Sequence, residues 1–275
     1  MNTPIVIDAC TLINLLRIDE DNNFLYKRLT SLDIHISETV YNEFKANLFK
    51  NAIDDADKER LSVIFSLPGF DHHKDDDIKK NLGKNWVDKI VSYVGHTKKA
   101  NGELFSSLLA LSLSRENDVK ICFYTDDFPA KDEFKDFFYI QQIGSIEDSV
   151  DLLLMLYWTE DDFSMQMLKR NLYNLKSEYN KVVVNFVNKI IALKTKYGKK
   201  QLIRKKLDSI INAFYSNNMN EFGKYVDDIR KTKDRDIKEC LSAFPNLPKQ
   251  PKIAQKVDYV LKELDKIDIF KLLYA

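Results

Sequence analysis

Short apolar runs that end beside carboxylates constrain this chain more than any other feature of its sequence. Asp8 closes Ile5-Val6-Ile7, and Asp126 and Asp127 close Ile121-Cys122-Phe123-Tyr124-Thr125. Glu43 follows the run 34–37 by one helical turn, and Glu103 opens an apolar helix. Runs of this length alternating with helical periodicity predict a parallel sheet. In an open α/β sheet the carboxyl ends of the strands form the crevice where ligands bind. Carboxylates gathered there repel one another, and an empty cluster is destabilised or partly protonated. A hard divalent cation among them is the economical reading.

The remaining pattern fills in an α/β order. Strands are expected at 4–9, 34–37, 120–125 and 137–143. Helices are expected from Thr11, from Glu38 (with Val40, Phe44 and Leu48 on one face), at 54–67, at 78–95 and at 101–115. Pro68-Gly69 ends one of these, and residues 71–77, Asp-His-His-Lys-Asp-Asp-Asp, read as a polar loop. Gly144-Ser145 leads into a helix carrying Val150, Leu153, Leu154 and Tyr157.

Beyond about residue 160 the strand signals stop. Leu168, Leu172, Leu175, Tyr179, Val182, Phe186, Ile190 and Leu193 recur every three or four residues and predict one long amphipathic helix. Three more follow: one through Ile203, Leu207, Ile210 and Phe214, one through Phe222, Val226 and Ile229, and a last one from Ile253 to Phe270. The expected organisation is therefore an α/β domain over 1–160 and an all-helical domain over 161–275, joined near 158–164.

A formal net charge of zero hides a split between these halves. Residues 1–160 hold 18 Lys+Arg against 28 Asp+Glu, a net of −10, so the remaining residues carry +10. An acidic half beside a basic half suits a metal-dependent enzyme that holds a polyanion, and it equally suits two halves that attract each other. Cys10, Cys122 and Cys240 lie far apart without metal-ligand spacing, which points to a reducing, cytoplasmic setting. Neither a signal peptide nor a membrane span is expected.

Taken singly, the acids have ordinary readings. Asp8 at a strand-to-helix turn is a natural N-cap. Glu38 suits the positive end of a helix dipole, Glu43 a solvated helix face and Glu103 a first helical turn. The pair Asp126-Asp127 is the strongest local signal, because two adjacent acids at the end of an apolar strand are costly without a cation nearby. His72-His73, flanked by Asp71 and Asp75, reads either as a transition-metal site or, more simply, as a solvated loop. The basic run 194–206 contains Lys199, Lys200, Arg204 and Lys205 and reads either as a phosphate grip or as a solvated helix corner, with Tyr197 placed to stack on a base.

Together the pieces resemble the PIN-domain nucleases. The match runs through Ile5-Val6-Ile7-Asp8-Ala9-Cys10 with Leu12-Ile13, then Ser37-Glu38-Thr39-Val40 with Glu43-Phe44. It continues through Gly102-Glu103, Thr125-Asp126-Asp127-Phe128-Pro129-Ala130-Lys131, and the unit beginning Gly144-Ser145-Ile146, covering roughly residues 4–158. The resemblance implies a PIN-like parallel sheet flanked by helices, an acidic pocket for Mg²⁺ or Mn²⁺, and metal-dependent cleavage of RNA. Carried over by position, the acids are Asp8, Glu43, Glu103 and Asp127, with Asp126 beside them. Asp8, Glu103, Asp126 and Asp127 would hold metal, and Thr125 and Cys10 would give polar support. Cys10 stands where Ser or Asn is common, and residues 45–100 exceed the family's usual spacing. The expected function is an endoribonuclease of the toxin or defence kind, with an inhibitor or partner protein and a homo-oligomer among its partners. The alternatives are a catalytically weak RNA-binding or assembly module and a DNA nuclease.

The charge split yields a test. Replacing Lys199, Lys200, Arg204 and Lys205 by Glu should weaken RNA binding and flatten its dependence on salt, since each lost phosphate contact releases about one counterion fewer. An unchanged slope in a filter-binding salt series would assign the charge to contacts within the protein.

Overall fold

The computed structural model describes residues 3–19, 23–49, 55–93, 101–197, 201–216, 218–244 and 251–271. Its elements run β1 (Ile5–Ile7), α1 (Ala9–Ile18), α2 (Phe24–Leu29), β2 (Ile34–Ser37), α3 (Glu38–Asn47), α4 (Asp55–Val63), β3 (Asp71–His73), α5 (Asp75–Leu82), α6 (Lys84–Tyr93), α7 (Gly102–Asn117), β4 (Ile121–Tyr124), α8 (Phe128–Ile140), β5 (Gly144–Glu147) and α9 (Ser149–Thr159). Helices only follow: α10 (Met165–Lys196), α11 (Gln201–Tyr215), α12 (Met219–Arg230), α13 (Arg235–Ser242), α14 (Pro251–Lys262) and α15 (Leu264–Lys271). Among the described residues no helix is long and apolar enough to cross a membrane.

The five strands form one parallel sheet in the order β3-β2-β1-β4-β5. Its centre is the fully buried run Ile5-Val6-Ile7. A strand covered on both faces reads as a continuous apolar run, which is why β1 and β4 stand out in the sequence, while β2 alternates apolar and polar residues. The chain lays down β1, β2 and β3 in one direction, then crosses back to add β4 and β5 on the other side of β1. That reversal places a topological switch point between β1 and β4, the position where open α/β sheets bind ligands.

Helix α7 carries much of the core. Leu104, Phe105, Leu108, Leu109 and Leu111 pack with Val6, Ile121 and Phe123 of the sheet and with Phe134, Phe137 and Phe138 of α8. At its start the Asn101 carboxamide accepts the Leu104 N–H, and Asp118 closes its end in the left-handed conformation.

Two expectations are corrected. Residues 137–143 are not a strand: Phe134, Phe137 and Phe138 are spaced to bury one face of α8, and the strand is the four residues after it, 144–147. Residues 71–77 are not a loop. Asp71-His72-His73 forms the edge strand β3, and Asp75-Asp76-Asp77 makes the acidic first turn of α5, where the helix dipole favours negative charge. Gly83, with φ +83°, ends α5 and divides the helix expected over 78–95.

The chain divides into two compact units, Met1–Asn171 with Asp268–Ala275, and Leu172–Ile267. Thr159 to Asp162 lies within the first, where Glu160 and Asp162 pair with Arg28 and Phe163 is buried against Phe24. In the second, Val183, Phe186, Val187 and Ile190 of α10 pack with Leu207, Ile210, Phe222, Val226, Ile229 and Ile237.

Gly144 opens β5 at φ +153°, and a Cβ there would lie 1.9 Å from the Ile121 carbonyl oxygen. Gly144→Ala must therefore push β5 away from β4. It should cost roughly 2–3 kcal/mol by chemical denaturation, in the range of stored backbone strain. A loss below about 0.5 kcal/mol would mean that β5 does not approach β4 this closely.

Candidate functional site

The register sets the stage. Ile7 pairs with Tyr124, so Asp8 and Thr125 lie side by side just beyond the carboxyl ends of β1 and β4. Asp8 is the N-cap of α1, accepting the Thr11 N–H at 2.7 Å on one oxygen and the Thr125 hydroxyl at 2.5 Å on the other. The Thr125 hydroxyl oxygen in turn accepts the Asp127 N–H at 3.1 Å. One threonine thus ties the end of β1 to the turn that carries both acids.

Asp126 is buried, and its two oxygens accept the Ser149 N–H at 2.9 Å and the Asn14 side-chain N–H at 3.2 Å. Asp127 is half-buried and precedes α8, with Pro129 in the first turn. Asp8 is 3 % exposed. Burial pushes its carboxyl up to about 7; the Thr125 hydrogen bond opposes this, and the Asp126 carboxylate adds to it. The Cys10 residue reaches the surface, yet desolvation of its thiol and then the charges of Asp8, Asp126 and Asp127 hold that thiol well above its ordinary range. The three aspartates therefore project their charge onto one place beside Cys10.

A second acidic group forms around Glu43. Its carboxylate accepts the Gly102 N–H at 3.0 Å. Burial raises its pKa, the Gly102 bond opposes the rise, and Glu103 and Asp75 add to it. Asp75 is held by the Thr39 N–H at 3.3 Å and the Thr39 hydroxyl at 2.5 Å. Helix α3, which carries Glu43, packs against both α1 and α7, so it lies between the helices opened by Asp8 and by Glu103.

The structure thus brings Asp8, Asp126, Asp127, Thr125 and Cys10 together, and it brings Glu43 beside Glu103. Among the described residues the group whose ligand atoms all lie within 4.8 Å of one another is Asp33, His35 and Asp71; no three of the predicted acids meet that spacing. Glu38 is exposed. Sequence reasoning missed Asn14 and Asp75. Asn14 follows Cys10 by four residues, with its amide 3.7 Å from the Cys10 sulfur, so helical spacing from Cys10 was the available signal. Asp75 had none, because its approach to Glu43 depends on the unrecognised strand β3.

Asp148, at the end of β5, has a structural task. It caps α9, with Asp151 in a capping box, and pairs with Lys131 at 2.9 Å. Glu147 beside it is pushed up to about 7 by burial and by Asp151.

Of the basic residues, Lys199 and Lys200 lie outside the described residues, while Arg204 and Lys205 are exposed on α11. Their neighbours are engaged locally: Lys194 with Asp208, Lys196 with Asp236 and Lys206 with Asp228. Tyr197 is buried and donates its hydroxyl to Asp234, so it is not presented for stacking on a base.

Comparison with protein-family models, with curated proteins and with solved structures finds no match to this chain.

The Asp8 shift has a consequence for stability. Its folded pKa of about 7 lies above the ordinary value of 3.8, so between about pH 4 and pH 7 the native state keeps a proton that the unfolded chain has lost. Stability is then fully present below about pH 4 and falls as pH rises through 7. Metal-free protein should lose on the order of 2 kcal/mol between pH 5 and pH 8 in urea titrations. Asp8→Asn should remove much of that loss, retaining a part of the same sign from Glu147. An equal loss in both proteins would place the titration elsewhere.

Proposed function

We propose that the protein is a divalent-metal-dependent nuclease of the PIN-like kind, acting on RNA. The observation that carries this reading is the gathering of Asp8, Asp126 and Asp127 at the switch point between β1 and β4, with Asp8 pushed up to about 7. A buried carboxylate whose cost is raised by desolvation and by a neighbouring carboxylate, as Asp8 is by burial and by Asp126, is balanced by a hard cation. The donor set is all carboxylate, which fits Mg²⁺ or Mn²⁺ better than a softer metal. Asp8, Asp126 and Asp127 would hold it, with Glu43 and Glu103 from the neighbouring acidic group.

When bound, such a cation supplies an activated water and neutralises charge on a phosphodiester. The residues do the rest. Thr125 fixes the Asp8 carboxylate and the Asp127 backbone in one arrangement, so neither reorganises on binding. Asn14 and the Ser149 N–H orient Asp126. The Gly102 N–H orients Glu43. Asp8 releases its proton when it becomes a ligand, which makes metal loading favour higher pH. Arg204 and Lys205 offer charge for the phosphate backbone. In this reading the described helices of the second half form an RNA-holding or partner-holding domain.

A second reading has its own observation. Both oxygens of Asp8 and both of Asp126 already accept hydrogen bonds from the protein. A PIN-like fold that binds RNA without cutting it would use these acids as caps and struts. Cleavage separates the two readings, and parallel DNA substrates separate ribonuclease from deoxyribonuclease.

Asp8→Asn combined with Asp127→Asn should lower Mn²⁺-dependent cleavage of labelled single-stranded RNA by on the order of 100-fold or more, with the circular dichroism spectrum unchanged. Wild-type protein in EDTA should match the variant. Cleavage by the double variant at the wild-type rate would show the chemistry to be elsewhere. A milder probe is Gly102→Ala, whose Cβ would lie 2.5 Å from a Glu43 carboxylate oxygen. It should displace that side chain and reduce activity with little loss of stability; full activity would remove Glu43 from the site.

A further inference from the structure

A separate group of metal-ligating side chains sits at the amino-terminal end of the sheet, away from the carboxylates discussed above. Asp33 immediately precedes β2, His35 is its second residue, and Asp71 and His73 are the first and third residues of β3. His35 pairs with Asp71 across the parallel ladder, and Ser37 with His73. The two-residue period of a strand puts Asp33 and His35 on one face of β2, and Asp71 and His73 on the same face of β3.

His35 is the centre of the group and is 8 % exposed. Its Nδ1 lies 2.9 Å from Nε2 of His73 and 3.7 Å from a carboxylate oxygen of Asp71. Its Nε2 lies 3.0 Å from a carboxylate oxygen of Asp33. That last approach is close but off the direction of an N–H, so Nε2 is a buried nitrogen without a hydrogen bond. Neither neutral tautomer resolves this. With the proton on Nδ1, the Nε2 lone pair has no donor and a carboxylate oxygen of Asp33 lies 3.0 Å from that nitrogen. With the proton on Nε2, the N–H has no aligned acceptor. Two negative carboxylates and a buried, unmatched ring nitrogen are what a bound cation satisfies.

The geometry points to a binding site for a divalent transition metal of the zinc class, with His35, Asp33 and Asp71 as ligands and His73 beside them. One ligand atom from each of Asp33, His35 and Asp71 lies within 4.8 Å of the others. Zinc–nitrogen and zinc–oxygen bonds of about 2.1 Å place adjacent ligand atoms roughly 3.0–3.4 Å apart, and the Asp33 oxygen lies 3.0 Å from the His35 Nε2 that would bind the ion. The mixture of imidazole and carboxylate favours zinc, cobalt or nickel over magnesium. The side chains of Asp71 and Asp33 are 70 % and 39 % exposed, so the metal has an entry path and room for water ligands. The site joins the start of β2 to β3, an edge strand of three polar residues with little apolar burial of its own. Its role is a clamp on that strand, independent of the nuclease reading.

The test uses the full chain carrying Asp8→Asn and Asp127→Asn, so that the carboxylate group at the other end of the sheet contributes little. Co²⁺ is titrated while visible absorption is recorded, because nitrogen-ligated, low-coordinate cobalt absorbs far more strongly than cobalt in water. One equivalent should bind with that signature and should be displaced by Zn²⁺. Adding Asp71→Asn and His73→Gln, both at the edge strand, should weaken binding by more than about 10-fold. As a readout that needs no folded variant, Zn²⁺ should shift the ring-proton NMR signals of His35 and His73 in the unsubstituted chain. Absence of the cobalt signature, cobalt binding unchanged by Asp71→Asn and His73→Gln, or histidine signals indifferent to Zn²⁺ would each overturn the site. In those cases the cluster is a hydrogen-bonded histidine pair beside two carboxylates, with no metal.

Discussion

Burying a carboxylate at the end of the central strand is the constraint on which the rest of this architecture turns. β1 is only three residues long and is covered on both faces, so Asp8 leaves solvent as soon as the strand ends. An isolated buried carboxylate is costly. The chain reduces that cost with the Thr11 N–H and the Thr125 hydroxyl, and the second of these reaches across 117 residues. That hydrogen bond requires β4 to lie beside β1 in the observed register, which in turn requires the crossover that creates the switch point. The fold and the acidic site therefore share one interaction.

The acids divide into residues that finish structural elements and residues whose charge remains costly. Asp148 belongs to the first kind: two backbone N–H groups and Lys131 satisfy it completely enough to cap α9. Asp8 belongs to the second despite its two hydrogen bonds, because burial desolvates its carboxylate and the Asp126 carboxylate adds to that cost. This difference, rather than the count of acids, separates a cap whose charge is satisfied from one whose charge stays costly. Glu43 falls between, oriented by Gly102 but raised by burial and by Glu103 and Asp75.

Legibility in the sequence followed burial. The runs 5–7 and 121–124 are apolar and 34–37 alternates apolar with polar residues; each announces a strand, and they are the three inner strands of the sheet. The residue pattern missed the two edge strands, and only the family resemblance marked Gly144-Ser145-Ile146 as the start of a strand–helix unit. Asp71-His72-His73 is polar because an edge needs less apolar covering, and Gly144-Ser145-Ile146-Glu147 is short and half-buried. The apolar signal at 137–143 came from Phe137 and Phe138, which cover the sheet from α8. For the site, Asp8, Thr125, Asp126 and Asp127 were readable from their place at strand ends. Asn14 and Asp75 were not, since their roles arise from packing between elements distant in sequence. Tyr197 shows the converse: an aromatic in a basic run looked available for a base, yet its ring is buried and its hydroxyl is bound to Asp234.

The central claim is that the carboxylates at the β1–β4 switch point hold a hard cation. Crystals of the wild-type protein grown with Mn²⁺ and measured at the manganese absorption edge test it directly. The account predicts an anomalous peak within bonding distance of carboxylate oxygens from Asp8 and Asp127. A map with no peak beside those residues, or with manganese bound only at Asp33, His35 and Asp71, would contradict it.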